Sequence, residues 1–288
     1  MSLYQRPNNY KEETLPVLCR YAYYNKMNSG FERHFHDAVE IIAVLSGEMK
    51  CTADNRTYLM KRGDIVIFNP YTIHSGYTTA ENTVHLCITF ELSDVLDYRN
   101  SVLEACADRL NSGQYLFDEC CFAGTESNDV LLRHLLKIYE NYSLLQSPVG
   151  QATILSELYG IIAILFDKHY HKLSDTSPHK RDRQFISDFL AYLQENYCKP
   201  ITISDAAQAL FMSTSRFSCL IKQHLGCNFS KYLRQYRIEC AIKTFTDSNR
   251  AIKDISEAVG FTNYCYFSHA FKAYTGFSPG VYFKKRKG

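Results

Sequence analysis

The sequence lacks the features that would place it in a membrane or outside the cell. Its longest apolar run, Leu158 to Phe166, is far shorter than the roughly 18 residues of a membrane-spanning segment. Residues 1–12 are polar, without the basic start and apolar stretch of a signal peptide. The 11 cysteines are an odd number and include no Cys-x-x-Cys pair, which argues against a disulfide framework. We therefore expect a cytoplasmic protein with reduced thiols and no membrane partner.

Charge is distributed unevenly along the chain, although the net charge is only +2. Residues 180–288 contain 17 Lys and Arg against 8 Asp and Glu, a net charge of +9, whereas residues 1–179 have a net charge of −7. A basic C-terminal part joined to an acidic N-terminal part indicates that the C-terminal part meets a polyanion, with nucleic acid as the leading candidate.

The first third of the chain has the pattern of short β-strands. Apolar, β-branched runs such as 39–45 and 65–68 are interrupted by turn residues, among them Ser46-Gly47 and Asn69-Pro70. This pattern predicts an antiparallel barrel or sandwich.

Two helices with apolar stripes follow the strands, with Ser147-Pro148-Val149-Gly150 between them. Residues 171–182 are polar and include a proline, which is typical of a linker. The chain is therefore predicted to comprise a β domain over residues 1–125, a helical pair over 126–170, a linker over 171–182 and an all-α domain over 183–288. The helical pair either packs on the barrel or pairs across a dimer.

The C-terminal domain contains an internal repeat. The pattern Phe-Ser-x-x-apolar-Lys-x-x-x-Gly at 217–226 recurs fifty residues later at 267–276. Each copy follows a short helix and a tight turn, and each ends in a glycine suited to a helix C-cap. Helix, turn and helix with a basic balance predict two helix-turn-helix units. We predict that Ser213 and Thr262 cap the second helix of each unit.

Residues 183–288 are similar to the DNA-binding domain of the AraC/XylS family of bacterial regulators. The resemblance lies in residues 252–261, in Tyr266-Phe267-Ser268-x-x-Phe271-Lys272 and in Gly276-Phe277-Ser278-Pro279. It implies that the second helix of each unit enters a major groove. Since Phe217 and Ile221 face the core, the outward positions and their flanking residues are candidates for DNA contact. They are Thr214, Ser215, Arg216, Ser218, Cys219 and Lys222 in the first unit, and Asn263, Tyr264, Cys265, Ser268, His269 and Lys272 in the second.

The outward positions themselves contain no Arg, Asn or Gln, the side chains that read bases through two hydrogen bonds. Arg216 and Asn263 flank them. For each candidate, contact with a phosphate or simple exposure to solvent remains an alternative to base contact. Because the two copies differ in sequence, one chain is expected to read two different half-sites in tandem.

The β domain has a second pattern, formed by His34-x-His36-x-x-x-Glu40 and, later, His74. His34, His36 and Glu40 share the same parity, which predicts side chains on one side of a strand. Together with His74 they could bind a first-row transition metal. Residues 30–75 resemble the two motifs of the cupin barrel. A divalent metal site, a metal-free effector pocket and purely structural histidines remain alternatives.

These observations predict a multidomain chain: an all-β cupin-like barrel, a helical pair and an all-α double helix-turn-helix DNA-binding domain. The resemblance implies a transcription regulator that binds double-stranded DNA and RNA polymerase and is not an enzyme. It also implies an activator that senses a small-molecule effector, with sugars as the leading class. A metal-dependent cupin enzyme fused to a DNA-binding module is the rival interpretation. A barrel that only dimerises is a third.

Overall fold

The computed structural model describes residues 15–54, 56–95, 101–172, 178–246 and 250–286. The chain forms two compact units, one reaching to Ser187 and the other comprising Asp188–Gly288. The first contains the strands and the helical pair, and the described residues of the second are helical. This arrangement confirms the predicted fold class.

The described strands are β1 Leu18–Tyr24, β2 Gly30–His34, β3 Val39–Ser46, β4 Glu48–Ala53, β5 Arg56–Lys61, β6 Ile65–Phe68, β7 His74–Thr78, β8 Thr83–Phe90, β9 Tyr115–Phe117, β10 Cys120–Cys121 and β11 Tyr170–Lys172. All but β9 and β11, which pair with each other, form two antiparallel sheets that face each other. The first sheet has the order β1-β8-β3-β6-β10 and the second the order β2-β7-β4-β5. Gly47, at φ +75°, makes the predicted turn between β3 and β4.

Strand β3 is buried on both faces, which explains its continuous apolar run. Ile42 and Val44 face the second sheet and belong to the core between the sheets, here called the barrel interior. Ile41 and Ala43 point the other way, into a larger core shared with helices. The first sheet therefore separates the barrel interior from the helical layer.

The helical layer contains the predicted pair and two earlier helices. The pair is α3 Glu126–Asn141 and α4 Pro148–Ile164, capped at their N-termini by Thr125 and Ser147. The predicted apolar stripes are buried in the outer core. Helices α1 Leu92–Val95 and α2 Val102–Asn111 lie within the range assigned to the barrel, and sequence analysis did not predict them.

The segment Pro148–His169, which is α4 with the turn that follows it, is long and apolar enough to cross a membrane by length and composition alone. Its mean hydropathy is 1.6. One face packs into the core of the first unit, through residues such as Ile154 and Leu158. A core helix passes the same length test, so the segment is weak evidence for a membrane span.

The predicted linker overlaps two elements of the structure. His171 and Lys172 belong to β11 (Tyr170–Lys172), which pairs with β9 (Tyr115–Phe117). Residues 173–177 lie outside the described residues, and α5 already begins at Pro178. A polar composition therefore does not exclude regular structure, since a strand lies at one end of this range and the start of a helix at the other.

Seven helices form the C-terminal region in the described residues. Buried Phe217 and Ile221 in the first unit, and Phe267 and Phe271 in the second, form the predicted core faces. Long helix α8 joins the two units. The helices are α5 Pro178–Asn196, α6 Ile203–Ala209, α7 Thr214–Leu225, α8 Phe229–Thr246, α9 Ile252–Ala258, α10 Tyr264–Thr275 and α11 Pro279–Arg286.

Candidate effector pocket and nucleic-acid interface

The structure brings His34, His36, Glu40 and His74 together at one end of the barrel interior. One ligand atom from each lies within 4.8 Å of the others. All four residues are buried. We call this group the barrel tetrad.

The tetrad residues come from three strands of the two sheets and from one connection between strands. His34 ends β2 and is paired in register with His74, the first residue of β7. Glu40 lies on β3, opposite Phe68 on one side and Thr89 on the other. His36 lies between β2 and β3. The parity argument along a single strand was therefore wrong in its reasoning, because a connection between two strands brings the side chains together.

Glu40 is the centre of the hydrogen bonding and ion pairing in the tetrad. Its Oε2 atom lies 3.2 Å from His36 Nε2, and its Oε1 atom lies 3.7 Å from His74 Nε2. Thr89 Oγ1 donates a hydrogen bond to Glu40 Oε2 at 3.4 Å. Among the described residues no lysine or arginine forms an ion pair with Glu40, and its ionic partners there are His36 and His74.

Burial and neighbouring groups shift the pKa values of the tetrad in defined directions. Burial alone would raise the pKa of Glu40, but the hydrogen bond with His36 and the charges of the three histidines hold it well below its usual range. Burial, together with His34, lowers the pKa of His74 well below its usual value. The carboxylate is therefore ionised and the His74 ring neutral near pH 7.

Two aromatic rings surround the imidazoles. Phe68 stacks on His74 with centroids 4.2 Å apart, and Phe31 makes edge contacts with His34 and His74. This apolar shell limits the ring orientations and keeps water away, which strengthens electrostatic interactions inside the site.

Sequence reasoning missed the polar residues of β8 that face the barrel interior. His85, Cys87 and Thr89 alternate along the strand, and all three are buried. The signal was available, because period-two alternation in a strand assigns these side chains to one face. Cys51 on β4 is a further buried thiol in the same core.

The donor set of the tetrad fits a transition-metal ion. Three imidazoles and one carboxylate suit first-row divalent metals such as Mn, Fe, Co, Ni or Zn. His74 Nε2 is buried and has no hydrogen-bond partner, as expected of an atom positioned to bind an ion. If an ion were bound there, it could polarise or coordinate an oxygen-bearing ligand.

The second helix of each helix-turn-helix unit is well defined at both ends. Ser213 accepts a hydrogen bond from the Arg216 amide and caps α7, while Gly226 ends it in the left-handed conformation. Helix α10 ends in the same way at Gly276. The predicted C-caps are therefore present. At the start of α10 the cap is Asn263, so the prediction of Thr262 was wrong.

The predicted DNA-contacting positions lie at the surface of α7 and α10. In the first unit all six candidates are exposed, from Thr214 to Lys222. In the second unit all are exposed except Ser268, which is half-buried. The Oδ1 atom of Asn263 accepts the capping hydrogen bond from the Tyr266 amide, which leaves the side-chain nitrogen to donate to another group. The positions are thus available to DNA, and their role stays a prediction.

Arg237, on the helix between the two helix-turn-helix units, contacts the loop that precedes the first of them. Arg237 of α8 donates hydrogen bonds of 2.6 Å to the carbonyl oxygens of Tyr197 and Lys199, in the loop between α5 and α6. Gly260, in the turn of the second unit, packs against the Cys198 carbonyl of that loop. Arg237 therefore connects α8 to the loop between α5 and α6.

The chain matches two family descriptions that together cover most of its length. Residues 16–157 match the AraC-like ligand binding domain, and residues 206–285 match a helix-turn-helix domain.

Similar proteins include transcription regulators. The chain is 27% identical over 169 residues to the raffinose operon transcriptional regulatory protein RafR of Pediococcus pentosaceus. That alignment covers 59% of this chain and 60% of RafR. The chain is 22% identical over 253 residues to the uncharacterized HTH-type transcriptional regulator YfiF of Bacillus subtilis, covering 86% of this chain and 77% of that one. The chain thus spans less than two thirds of RafR.

A crystal structure of unsaturated-fatty-acid-bound ToxT from Vibrio cholerae has a similar fold. It aligns over 94% of this chain and 96% of its own length with a TM-score of 0.50, at 16% sequence identity. That identity supports the fold alone.

Proposed function

The chain belongs to the AraC family of DNA-binding transcription regulators, and from that premise we propose that it is an effector-responsive activator whose effector binds in the barrel interior. The observation that carries the proposal is the convergence of four buried polar side chains inside the ligand-binding domain. Buried polar groups of this kind are costly to maintain unless something bonds to them. An effector that prefers one conformation of the regulator would shift the population towards it.

We propose a sugar as the effector class. The relative RafR is named for a raffinose operon, and the tetrad offers hydrogen-bonding groups suited to hydroxyls. ToxT was crystallised with an unsaturated fatty acid, so an acyl chain is the competing ligand.

A thermal-shift screen of the full chain tests this choice. Sugars, raffinose among them, are compared with unsaturated fatty acids. A ligand at a hundred times its dissociation constant stabilises the protein by about 2.7 kcal/mol. A shift with fatty acids and none with any sugar would overturn the sugar assignment. Glu40→Gln should weaken the sugar response, whereas Cys198→Ser, in the compact unit Asp188–Gly288, should leave it unchanged.

We further propose that α7 and α10 read DNA through their exposed positions. The supporting observations are the net charge of +9 over residues 180–288 and the exposure of these side chains. Binding of the full chain should weaken steeply as salt rises, because neutralised phosphates release counterions. Footprinting should show protection over two adjacent turns of DNA. Protection of a single turn would mean that only one unit contacts bases.

RNA polymerase and a second copy of the chain are the proposed protein partners. Transcription in vitro from a bound promoter should rise when effector is added, and a fall would make the protein a repressor.

For the dimer, the outer face of α4 is the proposed contact, because Ala152, Ser156 and Ala163 are exposed on an apolar helix. Ala163→Arg should convert a dimer to a monomer in sedimentation analysis. A monomeric parent protein would refute this arrangement.

We favour regulation without catalysis, in the cytoplasm, over the rival interpretation of a metal-dependent enzyme. Support comes from the relatives, which are transcription regulators. Turnover assays with sugars, run on protein with its metal content measured, would reveal an enzymatic activity if one exists.

A further inference from the structure

The turn that follows β6 bonds to two residues of the barrel tetrad. The Tyr71 amide donates a hydrogen bond of 2.7 Å to the His36 carbonyl oxygen. The Thr72 carbonyl oxygen lies 2.8 Å from His74 Nδ1. The turn itself is closed by a hydrogen bond of 3.1 Å from the Thr72 amide to the Asn69 carbonyl oxygen. The position of the turn therefore depends on where the two histidines lie.

The buried side chain of Asn69 pairs with the backbone of Phe117 in both directions. Its Nδ2 atom donates a hydrogen bond of 2.9 Å to the Phe117 carbonyl oxygen, and its Oδ1 atom accepts one of 2.7 Å from the Phe117 amide. An amide side chain thus takes the place that a neighbouring strand would have beside this residue of β9. Asn69 is 1% exposed, so breaking either bond leaves buried polar groups unpaired. The turn and β9 are therefore expected to move together.

Strand β9 is paired in its turn with β11. Tyr170 of β11 lies opposite Phe117 in register. The Asp118 amide donates a hydrogen bond of 2.9 Å to the His169 carbonyl oxygen, and the rings of Tyr115 and Tyr170 stack with centroids 4.6 Å apart. From β11 the chain continues to α5 and the helix-turn-helix units. A displacement of β9 therefore reaches the strand that precedes the DNA-binding domain in the chain.

We propose that Asn69 is the positioning residue that ties the barrel tetrad to β11. A ligand that bonds to the tetrad displaces His36 or His74, the turn follows, and the side chain of Asn69 carries β9 and β11 with it. Coupling between distant sites is carried by contiguous hydrogen bonds and packed side chains when both sites bias the same element. The proposal deepens the proposed function, and it rests on that function only for the premise that an effector binds in the barrel interior.

The test needs no effector, because substitutions in the tetrad serve as the perturbation. Amide hydrogen exchange of the full chain, followed by mass spectrometry, is compared for the parent, Glu40→Gln, His74→Ala, Asn69→Leu and the two double variants that contain Asn69→Leu. Leucine has a volume similar to that of asparagine but forms neither bond to Phe117. Exchange in β9 and β11 should be roughly 10-fold faster in Asn69→Leu, since the lost bonds make local opening easier.

The decisive comparison is the response of β11 to the tetrad. Glu40→Gln and His74→Ala should change the exchange of β11 when Asn69 is present. The same two substitutions should leave β11 unchanged when they are added to Asn69→Leu, because the tie is already broken. Glu40→Gln keeps the side-chain shape, so the comparison stands even if His74→Ala fails to fold.

Asn128 provides the matched control. It is also 1% exposed, and its Nδ2 atom donates a hydrogen bond of 2.8 Å to the Cys121 carbonyl oxygen. That bond connects α3 to β10 and does not involve β9. Asn128→Leu should therefore lower the melting temperature but leave the response of β11 to the tetrad substitutions as in the parent. Strand β1, at the opposite edge of the first sheet from β10, is the internal reference for a general loss of stability.

Three results would overturn the proposal: no change in β11 with either tetrad substitution, an equal change with and without Asn69→Leu, or the same loss of response in Asn128→Leu. Faster exchange that is as large in β1 as in β11 would also overturn it, because Asn69 would then support the whole domain and not one tie. The thermal-shift screen with sugars and fatty acids is read separately on the parent. A parent that shifts with none of these ligands refutes the effector pocket alone, whereas a parent that shifts but fails the exchange comparison refutes the tie alone.

Discussion

Replacing Gly260 with alanine tests the link between the two helix-turn-helix units. Gly260 has φ +92°, a conformation that costs an L-residue about 1–2 kcal/mol. A Cβ atom there would lie 2.8 Å from the Cys198 carbonyl oxygen and 3.0 Å from Arg237. That carbonyl cannot retreat easily, because Arg237 holds the carbonyls on either side of it. Overpacking adds about 1–3 kcal/mol, for an expected total of roughly 2–5 kcal/mol.

Gly276 provides the matched control. Its φ is +81°, but nothing lies within 4 Å of the Cβ that alanine would add, so only the conformational cost applies. Thermal unfolding of the full chain, followed by circular dichroism, should show a clearly larger fall for Gly260→Ala. For a unit of this size the melting temperature moves roughly 4–8 °C per kcal/mol. Equal shifts for the two variants would refute the packing argument, because the clash with the loop would then cost nothing.

Three further variants test separate features. Phe211→Gly should stabilise the compact unit Asp188–Gly288 by about 0.5–1 kcal/mol. The phenylalanine is 98% exposed at φ +56°, so glycine relieves a left-handed conformation that costs about 1–2 kcal/mol and loses about 0.5–1 kcal/mol through its greater freedom in the unfolded chain. A loss of stability in thermal unfolding would show that the Phe211 side chain packs. Lys272→Ala should weaken binding to all DNA sequences alike and lower the slope of affinity against salt concentration by about 1. A loss that depends on the DNA sequence would show that Lys272 contacts a base. Burial alone would raise the pKa of Glu157, but hydrogen bonds from His134 and Lys137 hold that pKa below its usual range. Its stabilising contribution is complete above its unfolded pKa and lost as pH falls through the folded one, so Glu157→Gln should flatten the acid limb of stability against pH.

Local sequence patterns predicted the elements in which one periodicity dominates. The alternation of core positions in α3 and α4, and the repeated Phe-Ser pattern of α7 and α10, were found where expected. Each of these signals lies within a few turns of one element. Helices α1 and α2 were missed, since sequence analysis extended the barrel as far as residue 125.

The tetrad shows where sequence reasoning ends. The residue types and spacing identified His34, His36, Glu40 and His74 without an alignment. The rings of His36 and His74 are oriented by hydrogen bonds from Nδ1 to the backbone carbonyl oxygens of Ala38 and Thr72, respectively, and side-chain identity does not encode those contacts. The same is true at the start of α10, where two adjacent polar residues could both cap the helix and only backbone geometry selects Asn263.

The two recognition helices are not equivalent readers. Helix α7 presents small side chains, including Thr214 and Ser215, whereas α10 presents Tyr264 and His269. Small hydroxyls have a short reach and suit phosphate contacts, while an imidazole can donate to or accept from a base edge. We therefore expect α10 to supply most of the sequence preference. His269→Ala should relax the preference in one half-site by about 1–3 kcal/mol and leave the other unchanged. Binding measured across a set of single-base operator variants decides this, and equal relaxation in both half-sites would show that His269 acts on the fold of the unit and not on a base.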